Sequence, residues 1–178
     1  MERSGETLVD FVTGQTVGDI GPERNRQAVE RFLVNEKGFA KRDIAVDCPI
    51  QLTVQGETYR SRIDLVISVD GVGFMAIKCP AGSLGSWERE ITAAARLLAH
   101  RQMPLAVVCD GAEAVVIDTV SGSRIGKTMA AIPSKTAARE YLAATPLQPL
   151  AVERREREAL IFRSYDKMRV NVQDPERA

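Results

Sequence analysis

The sequence predicts an α/β (α+β) domain: a mixed sheet flanked by helices, with a helical extension at the C-terminus. Three observations predict it. β-rich runs at 44–54, 62–69 and 73–79 are separated by the turn signals Gln55-Gly56-Glu57 and Asp70-Gly71. Apolar residues then recur at helical spacing over 86–101, at Trp87, Ile91, Ala94, Ala95 and Leu98. After Pro104 the run Leu105-Ala106-Val107-Val108-Cys109 is apolar throughout, as in a strand buried on both faces. An antiparallel meander with one helix crossover is the natural reading.

Taken in order, residues 1–21 carry four glycines and one short apolar piece, Leu8 to Val12, and read as an irregular N-terminal arm. Gly21-Pro22-Glu23 opens a helix, because proline is tolerated at the first helical position and an acid there favours the helix dipole. Val29, Phe32, Leu33 and Glu36 share one side of it, and Gly38 ends it. The three strand runs, the helix and the 105–109 strand follow, and Asp110-Gly111 turns the chain into Ala114–Asp118. The core domain therefore spans 22–132, with expected burial of Phe32, Leu33, Ile63, Leu65, Ile67, Ile77, Ile91, Leu98, Val107 and Ile117. Residues 133–178 form the extension, helical over 134–143 and 150–169 and frayed from 173 onward. In its second helix Leu160, Ile161, Tyr165 and Met168 are the expected packing face. Glu153–Arg157 and Arg154–Glu158 are i,i+4 pairs on a solvated face, a reading preferred over a nucleic-acid stripe.

Composition narrows the function. The 178 residues are 44% apolar, enough for a core without disulfide or metal staples. Twenty-four basic residues balance 24 acidic ones, which argues against a nonspecific polycation. Cys48, Cys79 and Cys109 form no CxxC pair and read as small buried residues of a reducing, cytoplasmic compartment. His100 is the single histidine, so triad chemistry has little to work with. No apolar run approaches the ~18 residues of a membrane span, and no signal peptide is recognisable.

Ser121-Gly122-Ser123-Arg124-Ile125-Gly126-Lys127-Thr128 ends like a phosphate-binding loop, but only three residues separate its glycines where four are needed. It reads as a basic turn. Asp64 inside one apolar strand and Lys78 at the end of the next carry more chemistry. Each is costly to bury alone. On one face they are suited to a Mg²⁺ ion and a poised water, with Mn²⁺ as substitute. The plain alternative is a surface ion pair on a half-exposed sheet. A regular two-residue hairpin at Asp70-Gly71 would put the two on opposite faces, so a shared site requires a bulge or odd loop between Ser68 and Phe74.

From Gly21 to about Asp118 the chain resembles the N-terminal domain of type I restriction enzyme R subunits, in the PD-(D/E)xK, restriction-endonuclease-like superfamily. The resemblance rests on Glu23-Arg24-Asn25-Arg26-Gln27, Gly38-Phe39, Arg62-Ile63-Asp64-Leu65-Val66-Ile67, Ile77-Lys78-Cys79-Pro80 and Val107-Val108-Cys109-Asp110-Gly111, in that order. The segment Arg154–Met168 resembles the tail of small stand-alone members. The resemblance implies that Asp64 binds the metal, Lys78 is catalytic, Glu23 assists the metal, and the Ile77 backbone carbonyl offers a further oxygen. Ala76 stands at the acidic position of (D/E)xK, and Glu90 and Ala94 stand where the following helix has Gln and Tyr.

Three functions follow. One is a DNA-binding nuclease fold whose cleavage is impaired or lost at Ala76. Another is an active Mg²⁺-dependent nuclease with a carboxylate supplied from a helix, Glu90 or Glu23. The last is a structural or interaction domain with Asp64–Lys78 as a relic. Glu23 suits dipole compensation better than metal ligation, Glu90 suits a ligand and a structural role about equally, and Glu30 is expected to be solvated. The expected partners are DNA, and a homodimer or partner protein. The R subunit's ATP-driven motor has no room in 178 residues, so activity is expected to be separate from translocation or to depend on a partner chain.

Overall fold

The computed structural model of the chain describes residues 5–173, with side chains through residue 168. Strands β1 (Thr7–Val9) and β2 (Thr16–Gly18) form a small antiparallel hairpin. The arm expected to be irregular is therefore partly ordered. Its turn is held by Asp10, whose Oδ1 accepts from the Val12 and Thr13 amides at 3.1 and 2.7 Å. Helix α1 (Glu23–Asn35) follows, opening at Pro22. It closes where Gly38 turns left-handed at φ 77° and the Phe39 N–H returns to the Leu33 carbonyl at 3.1 Å.

Strands β3 (Ile44–Val54), β4 (Glu57–Val69), β5 (Val72–Lys78), β6 (Leu105–Cys109), β7 (Ala114–Asp118) and β8 (Arg124–Gly126) form one sheet in that order. All neighbours are antiparallel except β5 and β6, which helix α2 (Glu88–Leu97) joins as a parallel crossover. Strand β8 is a correction: it lies in the segment expected to be only a turn. With three residues and two mixed-polarity neighbours it has no period to read.

Two apolar layers cover the sheet. Val29 and Leu33 of α1 pack with Leu65, Ile67, Ile77 and Val107 on one side. Ile91 and Ala93–Ala95 of α2 pack with Val66, Ala76, Ala106 and Ile117 on the other. Alternation along the strands makes the two faces, since successive side chains point oppositely. Phe32 and Leu98, expected in the core, are half-buried at its margins, and Cys48 is half-buried where the other two cysteines are buried. Ile44 faces the α1 side, yet Ile50, Leu52 and Val54 face the α2 side. The change of face falls at Asp47, which takes a left-handed φ of 50° between the pairs Val46–Leu65 and Cys48–Ile63. Aspartate tolerates that conformation better than most residues.

Helix α3 (Lys135–Ala144) starts at Ser134, whose hydroxyl accepts from the Ala137 amide at 3.2 Å. Helix α4 (Val152–Gln173) lies along α2. Ala159 and Phe162 are its buried apolar residues, while Leu160 and Met168 face outward, against the expected packing face. Arg96 of α2 reaches Glu158 of α4 at 2.7 Å and the Thr119 carbonyl at 2.7 Å, a buried tie between both helices and the end of β7. The fraying expected over 173–178 lies, beyond Gln173, outside the described residues. No helix among the described residues is long and apolar enough to cross a membrane.

The β6–β7 turn presses on α1. Gly111 has φ 92°, and a Cβ there would stand 2.8 Å from the Ala28 Cβ. Gly111→Ala is expected to cost about 1–3 kcal/mol through strain and overpacking. Urea unfolding checks it, and an unchanged midpoint would contradict this close approach.

Candidate functional site

Strands β4 and β5 place Asp64 and Lys78 on the same face because β5 carries a bulge. Val69 pairs with Val72 and Ser68 with Gly73, but Ile67 pairs with Met75. Phe74 is the extra residue, and beyond it the alternation is reset. Val66 then faces Ala76, and the Lys78 Nζ donates to Asp64 Oδ1 at 3.2 Å. The Cys79 amide donates to Asp64 Oδ2 at 2.7 Å, so both carboxylate oxygens are engaged. Lys78 is held from two more sides: its Nζ lies 4.7 Å from the Trp87 ring centre and 3.9 Å from Glu90 Oε1. Glu90 is buried against the sheet, as a residue beside the apolar stripe of α2 must be when that stripe is covered.

A cavity of about 520 Å³ opens onto this pair. Glu23, Arg26, Asp47, Asp64, Lys78 and Trp87 are among its walls. Glu23 is not free to turn toward Asp64. Its Oε1 accepts from Arg26 at 2.8 Å and from the Gln27 side chain at 2.9 Å. Arg26 is the centre of a larger assembly, donating also to Asp10 at 3.2 Å and Asp47 at 2.9 Å, with Glu30 Oε1 at 3.7 Å.

Glu30 is wholly buried rather than solvated, a correction to the sequence reading. The N-terminal hairpin covers it, and the Val12 amide donates to Glu30 Oε2 at 3.2 Å. Burial first, then the charge of Asp10, pushes the Glu30 carboxyl up to about 7. Asp10 behaves oppositely. Its burial acts upward, but hydrogen bonds from Thr13 and Gln27 and the charge of Arg26 outweigh it and hold the pKa below the ordinary value.

Mg²⁺ wants near-octahedral oxygen ligands and is usually held by one or two carboxylates plus water. The residues here do not assemble that set. Asp64 offers one partly exposed carboxylate already bound by a lysine and an amide. Ala76 is a fully buried methyl between Val66 and Ala106. Ile77, whose carbonyl was the expected further oxygen, pairs with Leu65 and Val107 in mid-sheet, its side chain in the α1-side core. Among the described residues no three His, Cys, Asp or Glu side chains are grouped to hold a metal ion.

Sequence reasoning missed Asp10, Arg26, Asp47 and Trp87 as parts of this site. Arg26 had a local signal, standing three residues after Glu23 and four before Glu30. Asp47 had none, because its place depends on strand register.

The family model described as type I restriction enzyme R protein N terminus (HSDR_N) matches residues 21–133 of the chain. No curated protein and no solved structure matches it.

Proposed function

The chain belongs to the family of type I restriction enzyme R protein N-termini, and from that premise we propose that it is a DNA-binding nuclease-fold domain with impaired cleavage. Its six-stranded mixed sheet flanked by helices is consistent with the restriction-endonuclease-like fold. The observation that carries the reading is the Asp64–Lys78 pair at 3.2 Å, open to the cavity, beside a buried Ala76. The lysine and aspartate of a nuclease are present, and the second acid is a methyl group. Lys78 neutralises Asp64 and is itself enclosed by Trp87 and Glu90, so the pair stays ordered without an acid at position 76.

The second reading, an active nuclease, is favoured by one observation: Glu90 lies 3.9 Å from Lys78. A labelled DNA duplex incubated with Mg²⁺ or Mn²⁺ separates the two. The expected result is binding with cleavage at background. Robust cleavage lost on Glu90→Gln would replace the first reading by the second. No binding to duplex or single-stranded DNA would leave the family's fold serving a structural role.

A further inference from the structure

We propose that the groove between α2 and α4 is a seat for the phosphate backbone of nucleic acid; the choice of ligand rests on the DNA-binding reading above. The groove measures about 870 Å³ and is separate from the Asp64–Lys78 cavity. It begins one residue beyond Trp87, whose ring covers Lys78, and runs along α2 through Arg89 and Arg96. From α4 it takes Arg154, Arg157, Glu153 and Glu158. Helix α4 lies wholly beyond the family-matched residues 21–133, so one wall of this groove comes from the chain's C-terminal extension and the other from the matched domain.

Glu153, Arg154 and Arg157 are exposed, as expected of a solvated helix face, but Glu158 is buried and the expected pairing is largely absent. The i,i+4 pairing of Glu153 with Arg157 is not made, and Arg157 has no hydrogen bond or ion pair among the described residues. The other expected pair is weak. Arg154 stands 3.7 Å from Glu158, whose Oε1 is already bound by buried Arg96 at 2.7 Å. Glu88 is likewise taken, in a two-pronged pair with Arg124 at 2.8 and 2.6 Å. The groove's walls carry four arginines (89, 96, 154 and 157) and three glutamates (88, 153 and 158), an excess of one positive charge, and Arg124, paired with Glu88, adds a second, in a chain of zero formal net charge. Two of the glutamates are committed to buried or bidentate pairs. The charges left facing solvent are those of Arg89, Arg154 and Arg157 against that of Glu153, a net of two positive charges, and arginine is the side chain best shaped for bidentate phosphate recognition. Backbone contacts of this kind position a duplex without reading its sequence.

The test is fluorescence anisotropy of a labelled duplex titrated with the full chain between 50 and 200 mM salt. Arg154→Gln/Arg157→Gln is expected to weaken binding roughly tenfold and to flatten the log–log salt slope by about 2, one contact each. Glu153→Gln is expected to tighten binding, a gain that misfolding cannot produce. Thermal melting of each variant accompanies the titration. If wild-type chain binds DNA and the double variant binds it with the same affinity and slope, the groove proposal fails while the DNA-binding reading stands. If wild-type chain binds no DNA, both fall. Saturable binding of inorganic pyrophosphate without any DNA binding would also overturn the proposal, in favour of a small phosphorylated ligand.

Discussion

Replacing Arg26 with methionine is expected to cost the fold about 3–5 kcal/mol, the range for removing one partner from a buried ion pair. Arg26 is 7% exposed and is the cation shared by Asp10, Glu23, Glu30 and Asp47. Asp10 and Glu30 are almost completely buried, so water cannot replace the guanidinium. The loss therefore spreads through the N-terminal hairpin, which is pinned to α1 by Asp10, Gln27 and Glu30. Urea unfolding at neutral pH measures it. A midpoint near that of the unaltered chain would mean that the acids find other partners and that Arg26 is not the hub.

The same cluster sets a pH dependence whose sign can be worked out. Glu30 titrates near 7 in the fold and near its ordinary 4.5 when unfolded. Between those values the folded chain holds a proton that the unfolded chain has released. This contribution is fully present below about pH 4.5 and is lost as pH rises through 7. Asp10 has the opposite sign: its contribution is present above its unfolded value of 3.8 and is lost on acidification. Chemical denaturation at pH 5 and pH 8 should find the unaltered chain less stable at the higher pH, relative to Glu30→Gln. Parallel behaviour of the two would place the buried proton elsewhere.

What was legible in the sequence was whatever local pattern determines. Strands Leu105–Cys109 and Ala114–Asp118 coincide with their runs because Pro104 and Asp110-Gly111 bound short apolar segments. The bulge was legible too, since the Asp70-Gly71 turn and a shared Asp64–Lys78 face are incompatible without one. The Arg26 hub was not, because it joins residues 10, 23, 30 and 47 from a hairpin, a helix and a twisted strand. Its members look like ordinary surface charges until the hairpin folds over α1. Helix α4 misled for another reason. Its apolar residues spread around the axis, so the face is chosen by Arg96 engaging Glu158 and by Phe162 meeting Tyr59, whose ring centres are 6.4 Å apart.

Ala76→Glu is expected to cost several kcal/mol in the absence of metal and to recover part of that loss with Mg²⁺. Ala76 has no exposed surface, with Val66 and Ala106 beside it and the alanines of α2 in the same apolar layer. A carboxylate there loses its hydration among these apolar neighbours. Its one escape is along the face it shares with Asp64 and Lys78, toward the cavity. A second carboxylate on that face gives a divalent cation two protein ligands instead of one, within the number Mg²⁺ commonly takes from protein. Binding to the folded state alone then stabilises it by about 2.7 kcal/mol at a hundredfold excess over Kd. The expected record is a melting temperature that rises with Mg²⁺ for Ala76→Glu, not for Ala76→Gln, and no longer rises once Asp64→Ala is added. A Mg²⁺-independent melting temperature in Ala76→Glu would mean that the new carboxylate stays in the core. The face carrying Asp64 and Lys78 could then not be made into a metal site by this single change, and the proposed impairment would extend beyond position 76.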